Sequence, residues 1–192
     1  MIILGLTGGI ATGKTTVSRM FARHNVPIFD ADLTVHHLLQ HECFYEVSDA
    51  FPEAVKNNHI DRKLLGARVF QDAAALRQLE NMLHPAVRAK EHAFIRQQRR
   101  NHRRLILLDI PLLFETGADA LCDYTITTYC PTFIQWQRAM RRPGMSEKKL
   151  SGILSKQMGH ALRIHRSDFV IPTHQGKGVT IREVKRVLTS IG

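Results

Sequence analysis

A chain of 192 residues, 44% hydrophobic and 23% charged, is long enough for one α/β domain with inserted lobes and has a globular, soluble composition. No apolar run approaches the roughly 20 residues that a membrane helix needs, no leader-like segment precedes the first apolar run, and Cys43, Cys122 and Cys130 lack metal-ligand spacing, so a soluble cytoplasmic protein without disulfides or a zinc site is expected. The net charge of +10 falls entirely in residues 96–192, which carry 17 Lys+Arg against 7 Asp+Glu, and such a basic half is matched by a polyanionic ligand, either nucleotides or nucleic acid.

The apolar run at 2–6 predicts a short buried strand, and the residues after it read Gly8-Gly9-Ile10-Ala11-Thr12-Gly13-Lys14-Thr15. That is the pattern G-x-x-x-x-G-K-[ST] between a strand and a helix, the latter expected over 15–24 with Val17, Met20 and Phe21 inward. Gly8 and Gly13 let the backbone curl so that successive N–H groups face phosphate oxygens. Lys14 can reach the β- and γ-phosphates, the Thr15 hydroxyl can bind Mg²⁺, and the helix dipole favours the same anion. This stretch, 8–16 with Thr16 included, predicts a site for a nucleoside triphosphate.

Further strands are predicted at 26–29, 105–110, 124–129 and 168–171, with helical patterns between them. Alternating strands and helices with nearly continuous apolar strands predict a parallel sheet covered on both faces, its ligands outside the carboxyl ends of the strands. Residues 33–104 are too long for one crossover and predict an all-helical insertion, with helices near 33–41, 44–51, 62–71, 73–83 and 85–101, Pro85 opening the last. A second helical segment covers 131–166, where Ser146 can cap a helix with a stripe of Leu150, Ile153, Leu154 and Met158. A Thr180/Glu183 capping box is expected to open the last helix over Ile181, Val184, Leu188 and Ile191.

Three groups carry chemistry beyond the loop. Asp109 ends the strand Leu105-Ile106-Leu107-Leu108, where it can either hold Mg²⁺ beside Thr15 or serve as a turn former. Asp30 and Asp32 follow the second strand; in an extended segment both would point toward the same rim, one of them orienting an attacking hydroxyl, unless they merely cap the next helix. Arg138, Arg141 and Arg142 fall on a predicted helix, with Arg138 and Arg142 on one face. They can neutralise a transferring phosphoryl group or form a solvated helix face. The cluster Arg96, Arg99, Arg100, Arg103, Arg104 reads as the basic end of a helix or as a phosphate patch. Neither Asn-Lys-x-Asp, nor Leu-Ser-Gly-Gly-Gln, nor the His-Arg-Asp and Asp-Phe-Gly pair of protein kinases occurs. A small-molecule kinase remains, with a nucleic-acid-binding protein as the rival from another class.

The ordered blocks Gly5-Leu6-Thr7-Gly8-Gly9-Ile10, Asp30-Ala31-Asp32, Ile60-Asp61-Arg62, Leu83-His84-Pro85, Asp109-Ile110-Pro111-Leu112-Leu113-Phe114-Glu115 and Ser167-Asp168-Phe169-Val170-Ile171, with Arg138 and Arg142, resemble the signature of the dephospho-CoA kinase family. The resemblance implies a P-loop three-layer α/β sandwich on a five-stranded parallel sheet, with a core of about 1–32, 105–134 and 167–192. It also implies a helical CoA-binding lobe of about 33–104 and a lid of about 135–166. The implied activity is transfer of the ATP γ-phosphate to the 3′-hydroxyl of dephospho-CoA. The implied catalytic residues are Lys14, Asp32 as base, Arg138 and Arg142, with Gly8, Gly9, Ile10, Ala11, Thr12, Gly13, Lys14, Thr15 and Thr16 on ATP. Thr15 and Asp109 would hold Mg²⁺, and Asp32, Arg62, His84, Leu112 and Glu115 would hold the acceptor. ATP and dephospho-CoA are the expected partners of a cytoplasmic monomer, with no nucleic acid or membrane among them. The sequence departs from the family at Ala11, where Gly is common, at Pro143, at Gly152, where an arginine is common, and at 172–176, where an Asn is lost.

Overall fold

In the computed structural model the backbone of residues 1–192 and every side chain but that of Gln71 are described. Residues 1–29 with 98–192 form one compact unit, and 30–97 form a second. The first unit is built on a parallel sheet in the order β2-β5-β1-β6-β7, from β1 (Ile2–Gly8), β2 (Ile28–Asp30), β5 (Leu105–Asp109), β6 (Tyr124–Tyr129) and β7 (Phe169–Pro172). β1 lies between β5 and β6, so six of its seven residues are buried, which is why it reads as an unbroken apolar run. Register pairs Leu6 with Asp109 and Gly8 with Thr128, bringing those residues to the carboxyl end of the sheet. Because β5 and β6 flank β1 on opposite sides, this end is a switch point of the kind that holds ligands in open parallel sheets.

Helices α1 (Lys14–Arg23) and α9 (Lys177–Ile191) share one core with the strands: Leu4, Leu6, Val17, Phe21, Leu107, Ile126, Ile171, Val184 and Val187. Burying Phe21 alone stabilises this layer by about 1.5–3 kcal/mol. Between β6 and β7 run α6 (Thr132–Met140), α7 (Glu147–Leu154) and α8 (His160–Arg166). A small cluster of Ala11, Ala139 and Leu150, with Ile10, Met140, Met145 and Leu154 against it, ties the loop after β1 to α6 and α7.

Several local expectations change. Ser146 caps α7 by accepting from the Lys149 N–H, but the helix stops at Leu154 and leaves Met158 beyond it. α9 opens at Lys177 with Gly176 as its cap, so no Thr180/Glu183 capping box forms. Thr180 is buried inside the helix instead, its hydroxyl donating to the Pro172 and Gly176 carbonyls at 3.1 Å each. Helix α6 ends at Met140, before the arginines at 141 and 142, because Pro143 disfavours helical backbone at the residue before it and Gly144 turns the chain at φ 72°.

The second unit holds α2 (Ala31–Gln40), α3 (Phe44–Ala50), β3 (Val55–Lys56), β4 (His59–Ile60), α4 (Arg62–Gln71) and most of α5 (Ala73–Arg100). It is not all-helical: β3 and β4 form an antiparallel hairpin across Asn57 and Asn58, both with positive φ, the geometry of a type I′ turn. The two helices expected over 73–101 are one, with Pro85 inside it. An internal proline costs about 3 kcal/mol or more, yet the buried stripe Ala75, Leu79 and Leu83 continues into Ala86 and Val87, and that shared core carries the helix across. Asp61 caps α4, accepting from the N–H groups of Lys63 and Leu64.

Candidate active site

The loop between β1 and α1 is shaped by steric necessity. A Cβ on Gly8 would lie 2.0 Å from the Thr128 hydroxyl oxygen, so no other residue fits there. Gly13 caps α1 at φ 95°, a conformation that costs other residues a clash with their own Cβ. Thr12 is buried; its hydroxyl donates to the Gly9 carbonyl at 2.7 Å and lies 2.7 Å from the Thr128 hydroxyl. The first turn of α1 therefore presents its N-terminus toward the loop's concave side, where an anion is favoured.

Lys14 Nζ donates to Asp109 Oδ1 at 2.5 Å, joining the first residue of α1 to the last of β5. The Asp109 side chain is 4% exposed, so the lysine charge offsets what would otherwise be a costly buried carboxylate. Asp109 and the Thr15 hydroxyl are hard oxygen donors of the kind divalent metals take. Among the described residues no group of three or more His, Cys, Asp or Glu could cage a metal. The donor set thus fits an ion that brings most of its own ligands, as phosphate oxygens and water do.

The α6–α8 segment closes on the loop through side chains. Gln135 is 2% exposed; its Nε2 donates to the Ile10 carbonyl at 2.8 Å, and the Ile10 N–H donates to Gln157 Oε1 at 3.0 Å. His160 Nε2 lies 2.7 Å from Gln135 Oε1. Burial, and then the Arg163 charge, hold the His160 imidazole below its usual range, which favours the neutral ring. Arg138 donates twice to Thr173, to the hydroxyl at 3.2 Å and the carbonyl at 2.8 Å, while the Thr173 hydroxyl donates to the Thr12 carbonyl. Arg142 stands exposed in the turn after α6, so helical spacing does not put it on one face with Arg138. Leu112 is exposed, whereas Glu115 Oε1 accepts from the Met158 N–H at 2.7 Å.

The remaining predicted residues belong to the second unit. Asp30 accepts from the Leu33 N–H at 2.9 Å and caps α2, so the capping role is the one it performs. Asp32 sits in the first helical turn, not in an extended segment, and the alternation expected to align the two carboxylates does not apply. Arg62 opens α4 and His84 lies on α5 just before Pro85, both exposed.

Gln135, Gln157, His160 and Thr173 were not singled out by sequence reasoning. Each meets the loop across more than 100 residues of chain or through a partner that does, and no spacing rule encodes that. The one available signal was the altered segment 172–176, where Thr173 takes up the arginine.

A glycine-rich loop at a sheet switch point, its lysine held by a carboxylate on the neighbouring strand, defines the P-loop kinase fold. A shikimate kinase from Acinetobacter baumannii shares that fold at a TM-score of 0.54 and 17% identity, over 100% of this chain and 93% of that one. Within the class the match is sharper. The family model for dephospho-CoA kinase matches residues 2–177. A dephospho-CoA kinase of Mesorhizobium japonicum is 43% identical over 191 residues, covering 100% of this chain and 97% of the relative. A dephospho-CoA kinase structure from Campylobacter jejuni superposes at a TM-score of 0.74 with 28% identity, over 98% and 96% of the two chains. The chain belongs to the dephospho-CoA kinase family.

Proposed function

We propose that this chain phosphorylates the 3′-hydroxyl of dephospho-CoA with ATP, giving CoA and ADP, the last step of CoA biosynthesis. The observation that carries the reading is the Lys14–Asp109 pair at the mouth of the loop, in a chain matched to the family from residue 2 to 177. Lys14 and the N–H groups of 8–16 cradle the triphosphate, Lys14 exchanging Asp109 for phosphate oxygens. Thr15 and Asp109 would hold Mg²⁺, which would supply charge neutralisation for the phosphates of the donor. Asp32 accepts the proton of the acceptor hydroxyl as its oxygen attacks the γ-phosphorus. Arg138 and Arg142 offset the charge on the transferred group, and Arg62, His84, Leu112 and Glu115 hold the acceptor. In this reading 33–104 is the CoA-binding lobe, 135–166 the lid, and the enzyme works as a cytoplasmic monomer. Support for an anionic substrate pair comes from the charge, with 19 Lys+Arg against 7 Asp+Glu in the loop-bearing unit.

The test couples ADP release to dephospho-CoA. Adenosine or shikimate outperforming dephospho-CoA as acceptor overturns the acceptor assignment. Asp32→Asn should lower turnover by roughly 10²–10⁴-fold with ATP affinity nearly unchanged, as loss of a general base does. If ATP binding falls with it, Asp32 serves the metal instead.

A further inference from the structure

Arg163 is a buried cation beside the loop to which the reading above gives no role. It lies in α8, is 2% exposed, and is positioned beside the phosphate loop: a Cβ placed on Gly9 would be 3.3 Å from Arg163 Nη1 and 2.9 Å from Gln135 Nε2. A guanidinium carries five N–H donors, and burying one is tolerated when a carboxylate takes it in a fork of two short bonds. Arg163 has no such fork. Among the described residues its side chain makes a single hydrogen bond, from Nη2 to Glu115 Oε1 at 3.4 Å, and its buried Nε has no partner. Glu115 Oε1 also accepts from the Met158 N–H at 2.7 Å, so what Arg163 receives from this carboxylate is one long contact rather than a fork.

The neighbourhood makes this arrangement stranger still for a purely structural arginine. The nearest loop backbone is the strand-to-helix turn whose N–H groups and helix N-terminus already form a positive field. His160, on the same helix, is held below its usual range by burial and then by the Arg163 charge and adds no negative group, so among the described residues Glu115 at 3.4 Å is the carboxylate that Arg163 pairs with. A buried cation held by one long contact beside a positive loop is stabilised further when an anion arrives between them.

We infer that Arg163 is a further phosphate-contacting catalytic residue, whose guanidinium binds the equatorial oxygens of the γ-phosphoryl group during transfer. This rests on the kinase reading above. In the step it serves, the acceptor oxygen forms a bond to the γ-phosphorus, the bond from that phosphorus to the bridging oxygen breaks, ADP leaves with the electron pair, and the acceptor proton goes to Asp32. Arg163 exchanges no proton and stays charged throughout. Its long bond to Glu115 is the one given up, while Glu115 keeps the Met158 N–H. Gly9 must stay small because a side chain there would fill the approach of both Arg163 and Gln135 to the loop.

The test compares Arg163→Met and Arg163→Lys with the parent in three measurements: steady-state kinetics, affinity for MgADP with and without aluminium fluoride, and thermal melting without ligand. Arg163→Met should lose about 10²–10³-fold in kcat, the scale of a lost charge-stabilising donor, with Arg163→Lys recovering part of it. MgADP affinity should stay within about threefold, while the extra affinity that aluminium fluoride confers on the parent disappears. The ligand-free melting temperature should hold or rise, because an under-paired buried cation has been removed. A kcat within threefold of the parent overturns the inference. So does a joint fall of kcat, MgADP affinity and melting temperature, which marks a structural arginine. If Arg163→Met does not fold, Arg163→Lys with parental kcat and parental aluminium fluoride gain overturns it equally. Should the parent prefer a different acceptor, the acceptor assignment fails, and the Arg163 effect is read with that acceptor.

Discussion

Ala11 sits in the phosphate loop at φ 60°, is 9% exposed, and packs against Ala139 and Leu150. A left-handed backbone costs an L-residue about 1–2 kcal/mol, and burying its methyl returns roughly 0.8 kcal/mol. Two opposing effects of this size predict that Ala11→Gly is close to neutral: strain is relieved, but the methyl contact and some unfolded-state restriction are lost. Thermal melting should move by less than about 3 °C. Ala11→Val adds a β-branch that avoids positive φ and overfills the small cluster, costing about 2–4 kcal/mol, which for a chain of this size lowers the melting temperature by roughly 5–15 °C. A large fall for Ala11→Gly would mean that the methyl's packing outweighs the strain. Residue-level legibility was uneven for the same reason. Gly8, Gly13 and Lys14 announce themselves because the pattern that carries them is local to one turn. Thr173 and Gln135 act on the loop from 161 and 125 residues away, and sequence spacing carries no such information.

Helix α5 shows both how far periodicity reaches and where it stops. Its apolar stripe was readable, but Pro85 made two helices look better than one, because a proline's local penalty is visible in sequence and the core that outweighs it is not. The β3–β4 hairpin was missed for the opposite reason: Asn57-Asn58 is a turn signal, yet strands of two residues are too short to show alternation. The same helix buries Glu91, 4% exposed, with Oε1 unpartnered. Loss of hydration pushes its carboxyl above the usual range, against smaller opposing pulls from His92 and Arg88. A carboxyl whose folded pKa is raised favours the folded state fully below its unfolded pKa, and that contribution is lost as pH rises through the folded value. Glu91→Gln, neutral throughout, should therefore be more stable than the parent at pH 8 and much less distinguishable from it at pH 4. Urea unfolding at the two pH values reads the difference directly. Destabilisation at pH 8 would mean that the charged carboxylate is itself used.

Across the whole molecule the charge is distributed by unit. The unit with the phosphate loop holds 19 Lys+Arg against 7 Asp+Glu, and the other holds 8 against 10. An excess of this kind attracts any polyanion, so the rival to a kinase is a protein that holds nucleic acid. Single-strand binders add a track of aromatic side chains to the charge, one stacked base at a time. Among the described residues of that unit the exposed aromatic side chains are Tyr124, which opens β6, and Phe133 and Trp136, three residues apart on α6, a pair that suffices for one planar group and not for a strand. Single-stranded RNA or DNA at 150 mM salt should therefore bind no tighter than about 1 μM, the tight end of non-specific contacts to phosphate. The KM values for ATP and dephospho-CoA should still rise with ionic strength, since salt screens the same field over roughly 8 Å. Trp136, the single tryptophan, separates the two cases in one titration. Arg138, two residues along α6, is fastened through Thr173 to the phosphate loop, so ATP occupying that loop should perturb the indole. An oligonucleotide that only meets the basic surface should leave its fluorescence unchanged. A fluorescence change driven by oligonucleotide at physiological salt, saturating below the ATP response, would make nucleic acid a true ligand of the loop-bearing unit.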